Sequence, residues 1–173
     1  MNKGYIHIYT GNGKGKTTAA IGLAIRAAGH GMKTFIGQFM KGQYYGELSV
    51  LNEMNLIDVE QFGDEGCITR DQVTPAHREH AQKGIERIGQ IFESGQYDIV
   101  VMDEVCVTIW FGILTESQVL DVIRFKPVHT ELVLTGRYAP QSLIAQADLV
   151  TSMEEVKHYY NTHEIPSRKG IEN

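Results

Sequence analysis

Cysteine is nearly absent: Cys67 and Cys106 are the only two in 173 residues, and neither has a partner at metal-ligand spacing. A disulfide framework and a cysteine-rich metal centre are both argued against, and the two thiols read as buried bystanders. Proline is equally sparse, at four residues, and no Pro/Gly/Ser-rich stretch is long enough to be a linker. Residues 1–173 therefore read as a single domain. There is no excess of positive charge. Sixteen Lys and Arg stand against 21 Asp and Glu, a formal net charge of -5, and the cations are scattered. The basic field of a duplex-binding protein is missing, so no nucleic-acid partner is expected. No apolar run approaches a membrane span, and the start, Tyr5-Ile6-His7-Ile8-Tyr9, alternates instead of building a signal segment. A cytoplasmic protein without a membrane partner is expected.

What is present is a regular alternation of short apolar runs with helical-period runs. Strands are expected at 5–10, 34–39, 57–61, 99–103, 131–135 and 149–153, several of them β-branched and nearly continuous in apolar character. Helices are expected over 17–28, stopped by Gly29 and Gly31, and over 75–94, opened by Thr74-Pro75 and closed by Gly95. A third opens at Thr115-Glu116-Ser117-Gln118, which has capping-box spacing, and a fourth starts at Pro140. Such alternation predicts an α/β protein with a mostly parallel sheet covered on both faces and its ligands at the C-terminal ends of the strands.

Directly after the first strand stands Thr10-Gly11-Asn12-Gly13-Lys14-Gly15-Lys16-Thr17-Thr18, followed at once by a helix. Small residues let the backbone N–H groups close around phosphates, and the helix start adds partial positive charge. Lys16 supplies a full charge and the Thr17 hydroxyl a ligand for Mg²⁺, which makes this a P-loop in its confirming strand–helix context. The fold class expected is a three-layer α/β/α P-loop NTPase-like (RecA-like) one. Gly11, Asn12, Gly13, Lys14, Gly15, Lys16, Thr17 and Thr18 are the candidate phosphate binders; Lys14 divides evenly between phosphate and solvent. A strict match would have glycine where Thr10 stands.

The run Ile99-Val100-Val101-Met102 ends in Asp103-Glu104, the place of the carboxylate that completes a Mg²⁺ shell in such proteins. Period-2 alternation points the two acids in opposite directions, leaving the metal ligand open between them. After Leu132-Val133-Leu134 the chain reads Thr135-Gly136-Arg137-Tyr138, which brings a guanidinium to the same sheet edge to clamp a phosphate. His77 and His80 share a helix face with no third ligand and read as solvated. Tyr44-Tyr45 reads either as a substrate-facing loop or as a surface turn, and Tyr159-Tyr160 as packed against the domain.

Taken in order, these motifs resemble the P-loop type of ATP:corrinoid adenosyltransferase. The resemblance covers nearly the whole chain and adds Arg26 with Gly29-His30-Gly31, Gln38-Phe39-Met40-Lys41-Gly42, Val156-Lys157-His158 and Gly170-Ile171-Glu172 to the segments above. It implies that ATP lies reversed, with the loop gripping the triphosphate as a leaving group while Co(I) of a reduced corrinoid attacks the 5′-carbon. It further implies Mg²⁺ or Mn²⁺, a flavoprotein reductant and a homodimer. Lys16, Thr17, Glu104 and Arg137 would share the stabilisation of the leaving group, and Arg26 and Gln38 would lie near the nucleotide.

Two departures accompany the resemblance. Relatives carry aromatic residues in the loop after the third strand, where this chain has Gly66-Cys67-Ile68-Thr69-Arg70. Either Phe62 or Trp110 substitutes, or the corrinoid is held differently. Some relatives also have an N-terminal helical extension over the site, whereas this sequence opens almost at the first strand. The rival readings are a P-loop small-molecule kinase or ATPase, and a non-catalytic carrier of ATP and corrinoid. A GTPase is disfavoured because no Asn-Lys-x-Asp motif is present.

Overall fold

The computed structural model describes residues 2–66 and 68–172. Cys67 lies outside them; Cys106 is buried, and burial, with Glu104 adding to it, pushes its thiol up to about 12, so it stays protonated. Six strands, β1 (Ile6–Thr10), β2 (Thr34–Phe39), β3 (Ile57–Phe62), β4 (Ile99–Asp103), β5 (Glu131–Thr135) and β6 (Leu149–Ser152), form one sheet in the order β3-β2-β4-β5-β1-β6. Every pairing is parallel. Parallel neighbours need crossovers, and those crossovers supply the covering layers.

Two cores result from the alternation of side chains along the central strands. Phe35, Phe39, Val100, Met102, Leu132 and Leu134 face one layer, built on α3 (Pro75–Ser94), α4 (Val105–Trp110), α5 (Glu116–Phe125) and α6 (Gln141–Ile144). Ile36, Val101 and Val133 face the other, built on α1 (Lys16–Ala28) and α2 (Gly46–Leu51). Strands β2 and β4 are buried throughout, as two-sided strands must be. Edge strand β6 differs, being exposed along its whole length. On the first face α3 lies so close that a Cβ on Gly84 would sit 2.7 Å from the ring of Phe39 and 2.9 Å from Phe62, so only glycine fits there.

Local sequence accounts for the helix starts. Thr115 and Gln118 cap α5 reciprocally, Gln118 Oε1 accepting from the Thr115 N–H at 2.8 Å. At α3 the corresponding partner of Thr74 is His77, whose Nδ1 accepts the Thr74 N–H at 2.9 Å. His77 is thus a capping residue and not merely a solvated one; its Nε2 lies 3.3 Å from Asp64, and His80 Nδ1 lies 3.0 Å from the same carboxylate. Pro140 caps α6 from outside instead of opening it. Helices α2, α4 and α7 (Tyr159–His163) lie where the sequence alone predicted none. Among the described residues, no helix is long and apolar enough to cross a membrane.

Candidate functional site

Because all six strands run the same way, the segments after β1, β2, β4, β5 and β6 converge on one edge of the sheet. A cleft of about 680 Å³ opens there, within the usual range for small-molecule sites. Its floor is the segment from Asn12 to Thr18. Gly11 and Gly15 hold φ of 90° and 117°, and the loop is braced from behind by the chain after β6: Gly13 N–H donates to the Met153 carbonyl at 2.6 Å. A Cβ on Gly13 would lie 2.6 Å from that carbonyl oxygen. No side chain caps the start of α1, so its first N–H groups are left for an anion. Thr10, where a strict motif would have glycine, uses its hydroxyl to accept the Ala139 N–H at 3.4 Å, tying the loop to the turn after β5.

Lys16 is buried and arches over the loop, donating to the Gly11 and Gly13 carbonyls at 2.8 and 2.7 Å. Burial lowers its pKa and Arg137 adds to this, while Glu104 and Asp103 oppose it. Lys14 stands at the rim, its ammonium 2.8 Å from the Glu172 carboxylate and 3.5 Å from the Tyr159 hydroxyl. The even division between phosphate and solvent thus has a third member, the C-terminal segment.

Asp103 is 1% exposed and collects three donors. Thr17 and Thr135 hydroxyls donate to its Oδ1 at 2.8 and 2.7 Å, and the Lys41 ammonium donates to its Oδ2 at 3.0 Å. Glu104 does not point to the opposite face as strand alternation predicts. The strand ends at Asp103, Glu104 adopts φ 62° and caps α4, and its carboxylate turns into the same cleft. Burial raises its pKa, with Asp103 reinforcing the effect and Lys41, Lys16 and Arg137 opposing it. The Thr17, Asp103 and Glu104 oxygens are hard donors gathered at one strand end. Among the described residues no group of three or more His, Cys, Asp and Glu is placed to hold a metal alone, so a cation here needs ligand oxygens as well.

Arg137 is exposed on the cleft wall, as its place after β5 predicts. Gln38 is fully buried one strand from the acids, in register with Asp103; its Oε1 accepts from Gln61 Nε2 at 3.0 Å, while its own Nε2 has no protein acceptor. Arg26 is not brought into the cleft: it lies in the last turn of α1, about 15 Å along the helix from Lys16, near enough to Tyr9 to influence its ionisation. Sequence reasoning did not single out Lys41 as a site residue. Burial works against its charge, but Asp103, Glu47 and Glu104 outweigh this and its pKa is raised. Tyr45, Glu47, His158 and Glu172 also line the cleft, whereas Tyr44 points to solvent. The signal for Lys41 was its place just past β2 on the shared sheet edge. For the tail residues only the resemblance gave one.

Cations above a glycine-rich turn, with two acids and a hydroxyl beside them, are the donor set that suits a polyphosphate and its cation. Comparison with known proteins agrees with this chemistry. A family model described as ATP:corrinoid adenosyltransferase BtuR/CobO/CobP matches residues 2–173. A corrinoid adenosyltransferase of a Sinorhizobium species is 35% identical over 98% of this chain and 80% of its own length. One from Pseudomonas aeruginosa is 32% identical, covering 98% of this chain and 84% of the relative. Corrinoid adenosyltransferase CobA of Salmonella typhimurium is 29% identical, with 98% and 86% covered. With a family model matched from end to end and the loop, acids and arginine assembled in one cleft, the chain belongs to the ATP:corrinoid adenosyltransferase family.

Proposed function

We propose that this protein transfers the 5′-deoxyadenosyl group of ATP to the Co(I) centre of a reduced corrinoid, releasing triphosphate. The observation that carries the reading is the convergence of Lys16, Glu104 and Arg137 on the glycine loop in a chain of this family. The cobalt lone pair forms the Co–C5′ bond as the C5′–O bond breaks, and the departing electron pair stays on the triphosphate. Co(I) carries no proton to remove, so no residue serves as a general base. Catalysis is positioning together with charge stabilisation on the leaving group.

In this reading the triphosphate lies in the loop from Gly11 to Thr18 with the nucleotide reversed. Lys16 and Arg137 meet the growing negative charge, while the Gly13 and Gly15 turns keep side chains away from the phosphates. Bound Mg²⁺ or Mn²⁺ would neutralise phosphate charge, and Thr17, Asp103 and Glu104 would hold it, two carboxylates with phosphate and water being a fitting donor set. Lys41 holds the Asp103 carboxylate in place beside Thr17. A flavoprotein supplies the electrons, a homodimer is the working form, and the cytoplasm is its place.

The test is an anaerobic incubation of the purified protein with chemically reduced cob(I)alamin, ATP and Mg²⁺, followed by visible spectrum and nucleotide chromatography. Light-sensitive adenosylcobalamin appearing with one equivalent of triphosphate is expected. ADP as product would transfer the site to a kinase or ATPase, and tight binding without turnover would make it a carrier.

A further inference from the structure

Lys41 carries a full charge into a place largely closed to water. Its side chain is 13% exposed, and its ammonium donates to Asp103 Oδ2 at 3.0 Å, lies 3.7 Å from Glu47 Oε1 and stands 4.9 Å from the centre of the Tyr45 ring. Asp103 gives it that oxygen because the other is taken: Oδ1 accepts from both Thr17 and Thr135. Met40, just before it, holds φ 61° without being glycine, so the turn that delivers Lys41 is kept at a cost. The same turn is pressed against the chain after β3. A Cβ on Gly42 would sit 2.2 Å from the Gly63 carbonyl oxygen, and one on Gly63 would sit 2.5 Å from the Lys41 nitrogen. The backbone is therefore fixed, and any movement of the charge falls to the side chain.

The ammonium stands where a divalent cation would need to be. With Thr17, Asp103 and Glu104 as the metal-holding set, Asp103 Oδ2 is the oxygen left for the metal, and Lys41 is already on it. Charge balance gives this a purpose. Around the cleft Lys16, Lys41 and Arg137 formally offset Glu47, Asp103 and Glu104, so the ligand-free site is near neutral. A bare divalent cation would arrive beside an ammonium with no negative charge to answer it. A polyphosphate entering with the cation supplies that charge and gives the ammonium a second partner.

We propose that Lys41 is an exchangeable counter-ion that bars a divalent cation from Asp103 until a polyphosphate enters with it. The proposal rests on the metal-dependent reading above. In the ligand-free protein the ammonium neutralises Asp103; when metal and triphosphate enter together, the cation takes Oδ2 and the ammonium turns to the phosphates. Lys41 thereby sets specificity. The site answers to the metal–nucleotide complex and not to free metal, which would otherwise settle on the two acids without a substrate. A bound polyphosphate must then tighten the metal by the same factor as the metal tightens the polyphosphate.

The test reads Mn²⁺ binding by electron paramagnetic resonance, without nucleotide or corrinoid, in wild type and Lys41→Gln. The variant loses the charge but keeps an N–H donor for Asp103. It is expected to bind Mn²⁺ at least about tenfold more tightly than wild type. Equal or weaker binding overturns the proposal, because a lysine that merely braced Asp103 for the metal would weaken binding when lost. The gain should vanish when Lys41→Gln is combined with Asp103→Asn; a gain that survives puts the cation elsewhere and also overturns it. If Lys41→Gln is unfolded without metal, circular dichroism with and without Mn²⁺ decides. Recovery of the fold by Mn²⁺ supports the exchange, since the metal then replaces the missing charge, and no recovery sinks it. No corrinoid is used, so failure of adenosyl transfer leaves this result standing, whereas a wild type fully active without any divalent cation would overturn the metal reading and the exchange together.

Discussion

The two flanks of the sheet edge differ in which residues reach left-handed backbone. On the phosphate flank the positive φ angles belong to glycines, Gly11 and Gly15, and a side chain on Gly11 would also lie 2.5 Å from the Met153 carbonyl. On the flank formed by the ends of β2, β4 and β5 one is a glycine, Gly136 at φ 134°, and the others belong to Met40, Glu104 and Tyr138. Each such non-glycine residue costs about 1–3 kcal/mol. The difference follows from what each flank presents. A loop built to offer phosphate its backbone N–H groups does without side chains; the other flank presents side chains, and the backbone is bent to aim them. Asp103 and Glu104 bring the contrast down to neighbours, one on regular strand with three donors and one on strained backbone.

The largest effect expected from separating these neighbours is on stability. Asp103→Asn leaves the Lys41 ammonium buried beside a neutral amide and should cost about 3–5 kcal/mol in a denaturant titration. A loss below about 1 kcal/mol would mean that Lys41 finds Glu47 or Glu104 instead. Next comes Lys16→Ala, which removes the charge facing the leaving group. A fall of roughly 10²–10³-fold in kcat is expected, by steady-state assay at saturating ATP, and the loop also loses the two hydrogen bonds that Lys16 donates to the Gly11 and Gly13 carbonyls. Retention of full activity would remove Lys16 from the mechanism.

Glu104→Gln should move stability in the opposite direction from Asp103→Asn. The folded pKa of Glu104 is raised, chiefly by burial, so the folded state holds the proton more tightly than the unfolded chain. Ionised Glu104 therefore destabilises the ligand-free protein above its folded pKa, and that penalty fades as pH falls through it towards the ordinary carboxylate range. The variant should melt higher than wild type at neutral pH, by about 2–4 °C per kcal/mol relieved, and at the same temperature in acid. Its adenosyl transfer should fall with a weaker dependence on Mg²⁺. An unchanged Mg²⁺ dependence would assign the metal to Asp103 alone.

How much of this the sequence disclosed follows the same division. The phosphate flank was legible because its parts are contiguous: apolar strand, glycines, Lys16-Thr17, helix. The ends of β4 and β5 were legible for a similar reason, an apolar run ending abruptly in Asp103 or in Thr135-Gly136-Arg137. The direction of Glu104 was not, since alternation holds only while the strand lasts, and a left-handed residue ends it without a glycine to announce it. Helix α4 was hidden by its Val, Thr and Ile content, which reads as more strand, until burial against α5 and the sheet overrides propensity. The Lys41–Asp103 pair spans 62 residues and the Lys14–Glu172 pair 158, and no local pattern encodes contacts at such separations. Strand β6 was legible as a strand, but its exposed place at the sheet edge is decided by topology.

The smallest effect tests whether the two flanks are joined by the C-terminal segment. Lys14 is held by Glu172, and Arg168 closes the group, its guanidinium 4.6 Å from the Tyr159 ring and 3.5 Å from Glu172. If Lys14 turns to the triphosphate when ATP enters, the Glu172 contact must first break, and the bound carboxylate competes with phosphate for one cation. Glu172→Gln removes the competitor. Since a partly exposed ion pair is worth about 0–1 kcal/mol, ATP affinity should tighten by no more than about fivefold, and the gain should shrink as salt is raised. Titration at two ionic strengths reads both. Weaker binding would instead give the segment a supporting role, with Glu172 holding His158 and Ile171 against the cleft, and Lys14 would then serve as the anchor of the tail and not as a ligand of phosphate.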